Sequence, residues 1–410
     1  MTKSAKEEKE KMDISRSDCE SDSSDSSSDS ESSDNESSSS ELSEVVLDVS
    51  YHLADEKAIS LKKEYICHMC GSMSTDLIAT ASSDFSASLY DIDGLKNIRK
   101  FQGHTETITN IRFHSNDPHQ LITSSTDGTI RFWDTRKAGK SILTFKDDSA
   151  DTKRLKPFLS FDISKSGHFV CAGTELFDGD AFLVFGDVRN GKVLGGYWES
   201  HSDDITQVSF HPLLSDNVAS GSSDGLINIY DLSNETEDDA LINSLNTESH
   251  VDKLSWYMIG GAHKGISCIL DTVDVQLWLQ DGAAPTNTFP RETLSQNSGW
   301  RPDDCYLVNI HQDESGELLF LSGSSTKDSE HLALFQLKDG NLVVESELPG
   351  NKQRVRCSWY NTKDKSLITA GENGILSLWR PGAESSNNKS SKVFIIVKFR
   401  LEVDSDLTNV

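Results

Sequence analysis

The sequence contains no long hydrophobic run. Its longest apolar stretches, such as VFIIV at 393–397, are far shorter than the roughly 18 residues that a membrane-spanning helix requires. The first residues are acidic and rich in serine, and they lack the apolar segment of a secretory signal peptide. We therefore expect neither a membrane-embedded segment nor secretion.

The sequence also contains few positively charged residues relative to acids, and its cysteines are not regularly spaced. Lys and Arg number 39 against 66 Asp and Glu, which gives a formal net charge of −27, so the chain as a whole repels phosphate groups. Direct binding to nucleic acid or to an anionic membrane is therefore not expected. The seven cysteines are odd in number and scattered, as in proteins whose thiols stay reduced, and we expect a location in the nucleus, the cytoplasm or both.

Residues 1–44 have almost nothing apolar to bury. They contain 17 serines and 14 Asp or Glu against five Lys or Arg, a composition typical of a disordered acidic tail. Ser26, Ser28, Ser33 and Ser38 each lie three residues before an acid, which makes them candidate phosphorylation sites for an acid-directed kinase. A solubilising tail and a tail that regulates or recruits basic partners both fit this composition.

The rest of the chain contains an internal repeat. A strand of small residues, a turn and a second strand ending near an aromatic residue recur at 78–91, 121–134, 218–231 and 367–380, with weaker copies at 171–187, 268–281 and 320–337. Another alternating strand precedes most copies, and the units follow one another at intervals of 43–57 residues. Seven units of three to four strands, without helical periodicity, predict an all-β fold: one seven-bladed β-propeller over 45–383.

The ring needs a closing strand, because the seventh unit has only three strands before Pro381. The segment VVLDVSYHL at 45–53 alternates and is the preferred candidate. The second candidate is VFIIVKFRLEV at 393–403, within a C-terminal tail at 384–410.

These units resemble those of the WD-repeat family. The pair Gly103-His104 and the later pair Trp133-Asp134 match the Gly-His and Trp-Asp ends of the family's repeat. The resemblance implies a buried, hydrogen-bonded set of four side chains within a blade. The residues that it assigns to these structural tetrads are His104, Thr123, Asp127 and Trp133 in the second unit, His201, Ser220, Asp224 and Tyr230 in the fourth, and Thr369, Asn373 and Trp379 in the seventh.

Two units depart from the family pattern. Asn351 occupies the histidine position of the seventh unit, so we expect an incomplete tetrad there. In the third unit, Gly186 stands where an aromatic residue belongs.

One motif is similar to a known interaction box. Trp133, Asp134 and Arg136 match the WD-x-R box of propellers that serve as substrate receptors of cullin-4 ubiquitin ligases, in which an arginine at a strand end would pair with acids of an adaptor. Asp187 and Arg189 repeat half of the box in the next unit. The ordinary alternative is a strand end with a nearby arginine and no partner.

Three other motifs have structural explanations. The Ser/Thr–His–Asp sets repeat at blade spacing, which a catalytic triad would not do. The segment 186–193 imitates a phosphate-binding loop but lacks its Ser/Thr, and it is typical of a hairpin turn. Cys67 and Cys70 form a single C-x-x-C without the second pair of ligands that a structural zinc site needs. We therefore expect no enzymatic activity, no metal and no cofactor.

The sequence thus predicts a monomeric, non-catalytic protein–protein interaction scaffold. Its acidic loops and tail favour protein partners, basic ones in particular. The alternative function is that of a substrate receptor of a cullin-4 RING ubiquitin ligase, which binds its adaptor through Trp133–Arg136.

Overall fold

The computed structural model describes residues 50–59, 64–137, 139–147, 155–326 and 330–382. The described chain is built almost entirely of short strands. Their bounds, in chain order, are β1 Tyr51–Ala58, β2 Ile66–Ser72, β3 Leu77–Ser82, β4 Ser86–Asp91, β5 Asn97–Gln102, β6 Ile108–Phe113, β7 Gln120–Ser125, β8 Thr129–Asp134, β9 Leu143–Lys146, β10 Phe158–Ile163, β11 Phe169–Thr174, β12 Leu183–Asp187, β13 Lys192–Tyr197, β14 Gln207–Phe210, β15 Asn217–Gly221, β16 Leu226–Asp231, β17 Leu241–Asn246, β18 Val251–Ile259, β19 Ala262–Leu270, β20 Val275–Leu279, β21 Asn287–Phe289, β22 Cys305–Gln312, β23 Leu318–Ser325, β24 Glu330–Lys338, β25 Asn341–Glu347, β26 Val355–Tyr360, β27 Leu367–Gly371 and β28 Ile375–Pro381.

These strands form seven antiparallel sheets of four strands each. Six sheets use four consecutive strands, beginning with β2–β5 as blade one and ending with β22–β25 as blade six. First strands of neighbouring blades pack against one another, as β2 does against β6 and β26. The prediction of a seven-bladed β-propeller is therefore confirmed.

The seventh blade joins the two ends of the ring. Its order is β26, β27, β28 and then β1, so its outer strand comes from the N-terminal side of the domain. β1 pairs antiparallel with β28, from Tyr51 opposite Pro381 to Ala58 opposite Ile375. Of the two closing segments that the sequence left open, the N-terminal one thus makes the pairing, over 51–58. Residues 45–49 of the predicted strand lie outside the described residues. The segment 393–403 lies outside the described residues, as does the tail with Ser26, Ser28, Ser33 and Ser38.

The hydrophobic core lies between neighbouring blades. Each contact layer combines the facing sheets of two blades, as where Phe132 and Phe145 of blade two meet Phe158 and Phe161 of blade three. Every sheet is therefore apolar on both faces, and the middle strands are almost wholly buried, as in β3 and β27. A single blade could not cover both faces of its sheet, which is why the ring has to close.

Two short helices interrupt the expected all-strand pattern. α1 (Glu237–Ala240) precedes β17, and α2 (Arg291–Ser298) is followed by a 3₁₀ turn at Pro302–Asp304 before β22. α2 accounts for the longest interval between repeat units, because it fills the connection between blades five and six. It buries Leu294 against the core of these blades. No helix in the described ranges is long and apolar enough to cross a membrane.

Candidate interaction surfaces

The second blade contains a connected set of buried polar side chains. His104, in the connection from blade one, has Nδ1 2.9 Å from Asp127 Oδ2 and Nε2 2.7 Å from Thr123 Oγ1. Trp133 donates its indole N–H to the same Thr123 oxygen, at 2.9 Å. Since the carboxylate only accepts, the imidazole donates from Nδ1, and the Thr123 hydroxyl donates to Nε2. The chain of bonds therefore runs from the indole through threonine and histidine to the carboxylate.

This relay affects the charge of its carboxylate. Burial raises the pKa of Asp127, but hydrogen bonds from His104 and Thr129 outweigh burial, and the pKa falls to about 2. His104, Thr123 and Trp133 are 8%, 0% and 2% exposed, so no substrate can reach them. These four side chains therefore link the strands of the blade through hydrogen bonds, and their arrangement does not suit nucleophilic catalysis.

The fourth blade repeats only part of this arrangement. His201 places Nδ1 3.0 Å from Asp224 Oδ2 and Nε2 2.7 Å from Ser220 Oγ. Tyr230 packs its ring on Tyr197, with centroids 5.4 Å apart, and its pKa is raised to about 12 by burial. The tyrosine thus fills the volume of the usual tryptophan through ring packing.

The seventh blade keeps the tryptophan end of the tetrad. Trp379 donates to Thr369 Oγ1 at 2.9 Å, while Asn373 donates its side-chain N–H to the Lys352 carbonyl at 2.8 Å. Asn351 turns instead to the Gln353 carbonyl, at 2.7 Å. Asn373 therefore stands apart from the Trp379–Thr369 pair.

Gln353 supports the turn that the missing histidine would have held. It is 2% exposed, donates to the Ile375 carbonyl at 2.7 Å and accepts from the backbone N–H of Asn373 at 3.2 Å. The repeat pattern does not identify Gln353, because Gln353 lies two residues after Asn351, which occupies the histidine position of this unit.

The WD-x-R box forms an internal ion pair. Arg136 donates from Nε and Nη2 to the two carboxylate oxygens of Asp134, at 2.8 and 3.1 Å. Arg189 likewise donates from Nε and Nη2 to the two carboxylate oxygens of Asp187, at 2.9 and 2.8 Å. These bonds lower the pKa of both acids, to about 2 for Asp187. The two arginine side chains are 60% and 64% exposed, so each carboxylate fixes a guanidinium at the protein surface.

First strands line the centre of the ring with polar side chains. Arg112 pairs with Asp162 of the next blade at 3.0 Å, and Lys253 donates to the Val308 carbonyl at 2.6 Å. Burial, with the charge of Lys253, lowers the pKa of His68 and His311 to about 4. These contacts are structural links across neighbouring blades.

Cys67 and Cys70 lie on β2, among these central strands. Burial raises the pKa of both thiols, that of Cys70 to about 12, which disfavours the thiolate that zinc binds. Within the described ranges, no three His, Cys, Asp or Glu side chains are grouped as metal ligands would be.

Sequence comparisons agree with this architecture. The family profile described as "WD domain, G-beta repeat" matches residues 95–134 and 192–231, which end at Asp134 of blade two and Asp231 of blade four. An uncharacterised WD repeat-containing protein of Schizosaccharomyces pombe is 30% identical over 74% of this chain and 92% of its own length. The chain belongs to the WD-repeat family. A second uncharacterised WD repeat-containing protein, from Saccharomyces cerevisiae, is 30% identical over 74% of this chain and 75% of its own.

The WD repeat-containing protein 89 homolog of Dictyostelium discoideum is also similar. It is 23% identical over 77% of this chain and 83% of its own length. WD-repeat propellers are generally non-catalytic scaffolds that bind other proteins. The described part of this WD-repeat chain is such a propeller.

A second type of histidine hydrogen bond links neighbouring blades of this WD-repeat protein. His114 follows β6, accepts two backbone N–H groups at Nδ1 and donates from Nε2 to the Gly167 carbonyl of the next blade, at 3.1 Å. His211 follows β14 and does the same toward the His263 carbonyl, at 2.7 Å. The sequence signal was a histidine directly after the first strand, which the tetrad pattern does not include.

The glycine in the third WD repeat has a packing reason. Gly186 faces the ring of Phe145 from blade two, and a Cβ at this position would overlap that ring. The aromatic side chain that the family pattern places on this strand is thus supplied by the neighbouring blade.

The surface of the WD repeats carries an acidic patch at the edge of blades three and four. Trp198 and Leu176 are 52% and 43% exposed there. The acids around them lie in the β11–β12 turn and the β13–β14 connection; we define the acidic patch as Glu175, Asp178, Asp180, Glu199 and Asp203. The two loops touch, because Asp204 accepts the backbone N–H of Leu176 at 2.7 Å.

Not every acid near this edge is available to a partner. Glu237 of α1 accepts the backbone N–H groups of Trp198 and Ser200, both at 2.9 Å, and the Ser200 hydroxyl. It therefore fixes the connection that presents Trp198. The sequence predicts that this loop is one of the acidic loops that favour basic protein partners, but its Glu237 is engaged within the chain.

Proposed function

We propose that this chain is a non-catalytic scaffold in the nucleus or the cytoplasm, and that its acidic patch binds basic segments of partner proteins. The observation that carries the proposal is that the exposed Trp198 lies on one of two connected loops that together carry five acids. An indole face attracts Lys or Arg side chains, and carboxylates around it add long-range attraction. The hydrogen bonds that Glu237 accepts from the backbone N–H groups of Trp198 and Ser200 hold this site in place before a partner arrives, which reduces the ordering cost of binding.

Neutralising the patch tests the proposal. The variant Asp178→Asn/Asp180→Asn/Glu199→Gln keeps side-chain shape but removes three negative charges from exposed positions. We expect affinity for a fluorescent lysine–arginine decapeptide to fall about tenfold at low salt, measured by fluorescence anisotropy.

The matched control is Asp216→Asn/Asp281→Asn/Asp339→Asn, which changes the net charge equally at exposed positions of blades four, five and six. An equal loss in both variants would mean that overall charge alone attracts the peptide, and the patch would have no specific role.

We also propose, as a second function, that the chain is a substrate receptor that binds a cullin-4 ligase adaptor through the WD-x-R box. The supporting observation is the oriented and exposed guanidinium of Arg136, which keeps Nη1 outside its pair with Asp134. An adaptor carboxylate would meet a cation whose position is already fixed.

The test is capture of the adaptor from cells by the tagged protein, with identification by mass spectrometry. Arg136→Ala should remove the adaptor from the captured material. Arg189→Ala removes the equivalent fork one blade further on and serves as the control, with recovery expected to match the parent. Unchanged capture by Arg136→Ala would exclude this function for the box.

A further inference from the structure

One face of the ring has a strongly uneven charge. We call it the lower face; it is formed by the loops that join first to second strands and third to fourth strands. In blades two and three these loops are 114–119, 135–137 with 139–142, 164–168 and 188–191, and they contain five Lys or Arg and one acid. The corresponding loops of blades four to six contain no Lys or Arg. Without the loop 232–240, whose Glu237 bonds Trp198 at the acidic patch, they contain six acids.

The basic half of this face contains a groove of about 580 Å³ between blades two and three. Its walls include His114 and Asp117 from the first loop of blade two and His168 from that of blade three. Ile142 and Arg189 complete it from the outer loops of the same blades. Ile142 is 55% exposed, so the groove combines an apolar side chain with cations at its rim. We define the basic groove by these five residues.

The floor of the groove is rigid because its loops are bonded to each other. His114 Nε2 donates to the Gly167 carbonyl, and Asn116 donates from Nδ2 to the Lys165 carbonyl at 3.2 Å. Leu143 of blade two also packs directly against Gly191 of blade three. A ligand would therefore meet a preformed site that needs little ordering.

The cationic side chains of the loops that line the groove are exposed, and they outnumber the acidic side chains of the same loops. Lys140, Lys165 and Lys192 are exposed side chains of the two blades. Arg136 lies in the loop between β8 and β9, which also carries the groove residue Ile142. The local field thus opposes the net charge of −27 that the whole chain carries.

We propose that the basic groove binds an extended acidic peptide segment of a partner protein, with one apolar side chain of that segment on Ile142. Charge complementarity favours an anionic ligand, and a groove that runs between two blades suits an extended chain. A second copy of this chain would bring another net charge of −27, so its approach is opposed at long range. This site differs in place and in ligand charge from the acidic patch.

The probe is a fluorescein-labelled decapeptide of nine glutamates with one central leucine, titrated into the full chain by anisotropy. Lys140→Glu/Lys165→Glu should weaken its binding about tenfold or more, because each reversal replaces attraction by repulsion on a loop that lines the groove. The control Lys57→Glu/Lys264→Glu makes the same change of net charge at exposed positions of β1 and β19, and we expect less than a threefold loss.

A further variant tests the apolar contact. Ile142→Asp should weaken the leucine-containing probe several-fold more than an all-glutamate decapeptide, since only the first probe offers a side chain for the apolar position.

Three outcomes would overturn the proposal: no binding of the acidic probe, equal loss in both double variants, or salt-sensitive self-association that Lys140→Glu/Lys165→Glu abolishes. The last outcome would assign the groove to a second copy. The lysine–arginine decapeptide reports on the acidic patch in the same samples. Retained binding of that peptide by the groove variant shows a folded ring, and it separates failure here from failure of the proposed scaffold function.

Discussion

At the scale of single residues, the tetrad of blade two depends on one hydroxyl group. Thr123 Oγ1 connects Trp133 and His104, and its side chain is fully buried. Removing the hydroxyl leaves an indole donor and an imidazole acceptor without partners in a dry environment. Each such buried polar group costs about 1–3 kcal/mol.

Thr123→Val should therefore lower the free energy of unfolding by about 2–4 kcal/mol, measured by urea denaturation. Ser220→Ala should cost less, about 1–2 kcal/mol, because Tyr230 fills its place by ring packing and only His201 loses a partner. Thr144→Val, at an exposed position of β9, is the control and should stay within about 0.5 kcal/mol of the parent. Equal losses for Thr123 and Ser220 would contradict the different geometry of the two blades.

At the scale of elements, the repeat period allowed the blades to be predicted from the sequence. The middle strands of each blade have to bury both faces, so small residues such as those of β3 recur, and the turns between strands recur with them. Insertions between units do not repeat, so they leave no periodic signal in the sequence. α2 was missed for this reason: it is eight residues long, and Leu294 is the one large apolar side chain that it buries.

The candidate surfaces were harder to predict than the elements. The tetrad residues follow a repeat, but the partners of Asn351 and Gln353 depend on how the seventh blade turns. Likewise, the basic groove combines loops about 50 residues apart in a sequence whose net charge is acidic. Composition averages over such local differences, whereas the blade order places these cations side by side.

At the scale of the whole molecule, the ring is held closed by β1. Tyr51 is 6% exposed and belongs to the core layer between blades six and seven, next to Trp379 and Tyr306. Its backbone N–H bonds the Ser346 hydroxyl of blade six, and its own hydroxyl donates to the Lys365 carbonyl of blade seven. Tyr51 thus ties the first strand of the domain to the last two blades, through its backbone N–H toward blade six and its hydroxyl toward blade seven.

Loss of this side chain should destabilise the entire ring, because blades depend on their neighbours for burial. Tyr51→Ala should cost about 3–5 kcal/mol, as buried aromatic truncations do, and the whole protein should unfold in one transition at a lower urea concentration. Tyr65→Ala is the control: Tyr65 is 48% exposed, and its loss should leave the midpoint nearly unchanged. Truncation after Gly382 should also leave the midpoint unchanged, because β1 already occupies the edge of β28 that a C-terminal strand would need. A truncated protein as unstable as Tyr51→Ala would show instead that the chain after Gly382 shares in closing the ring.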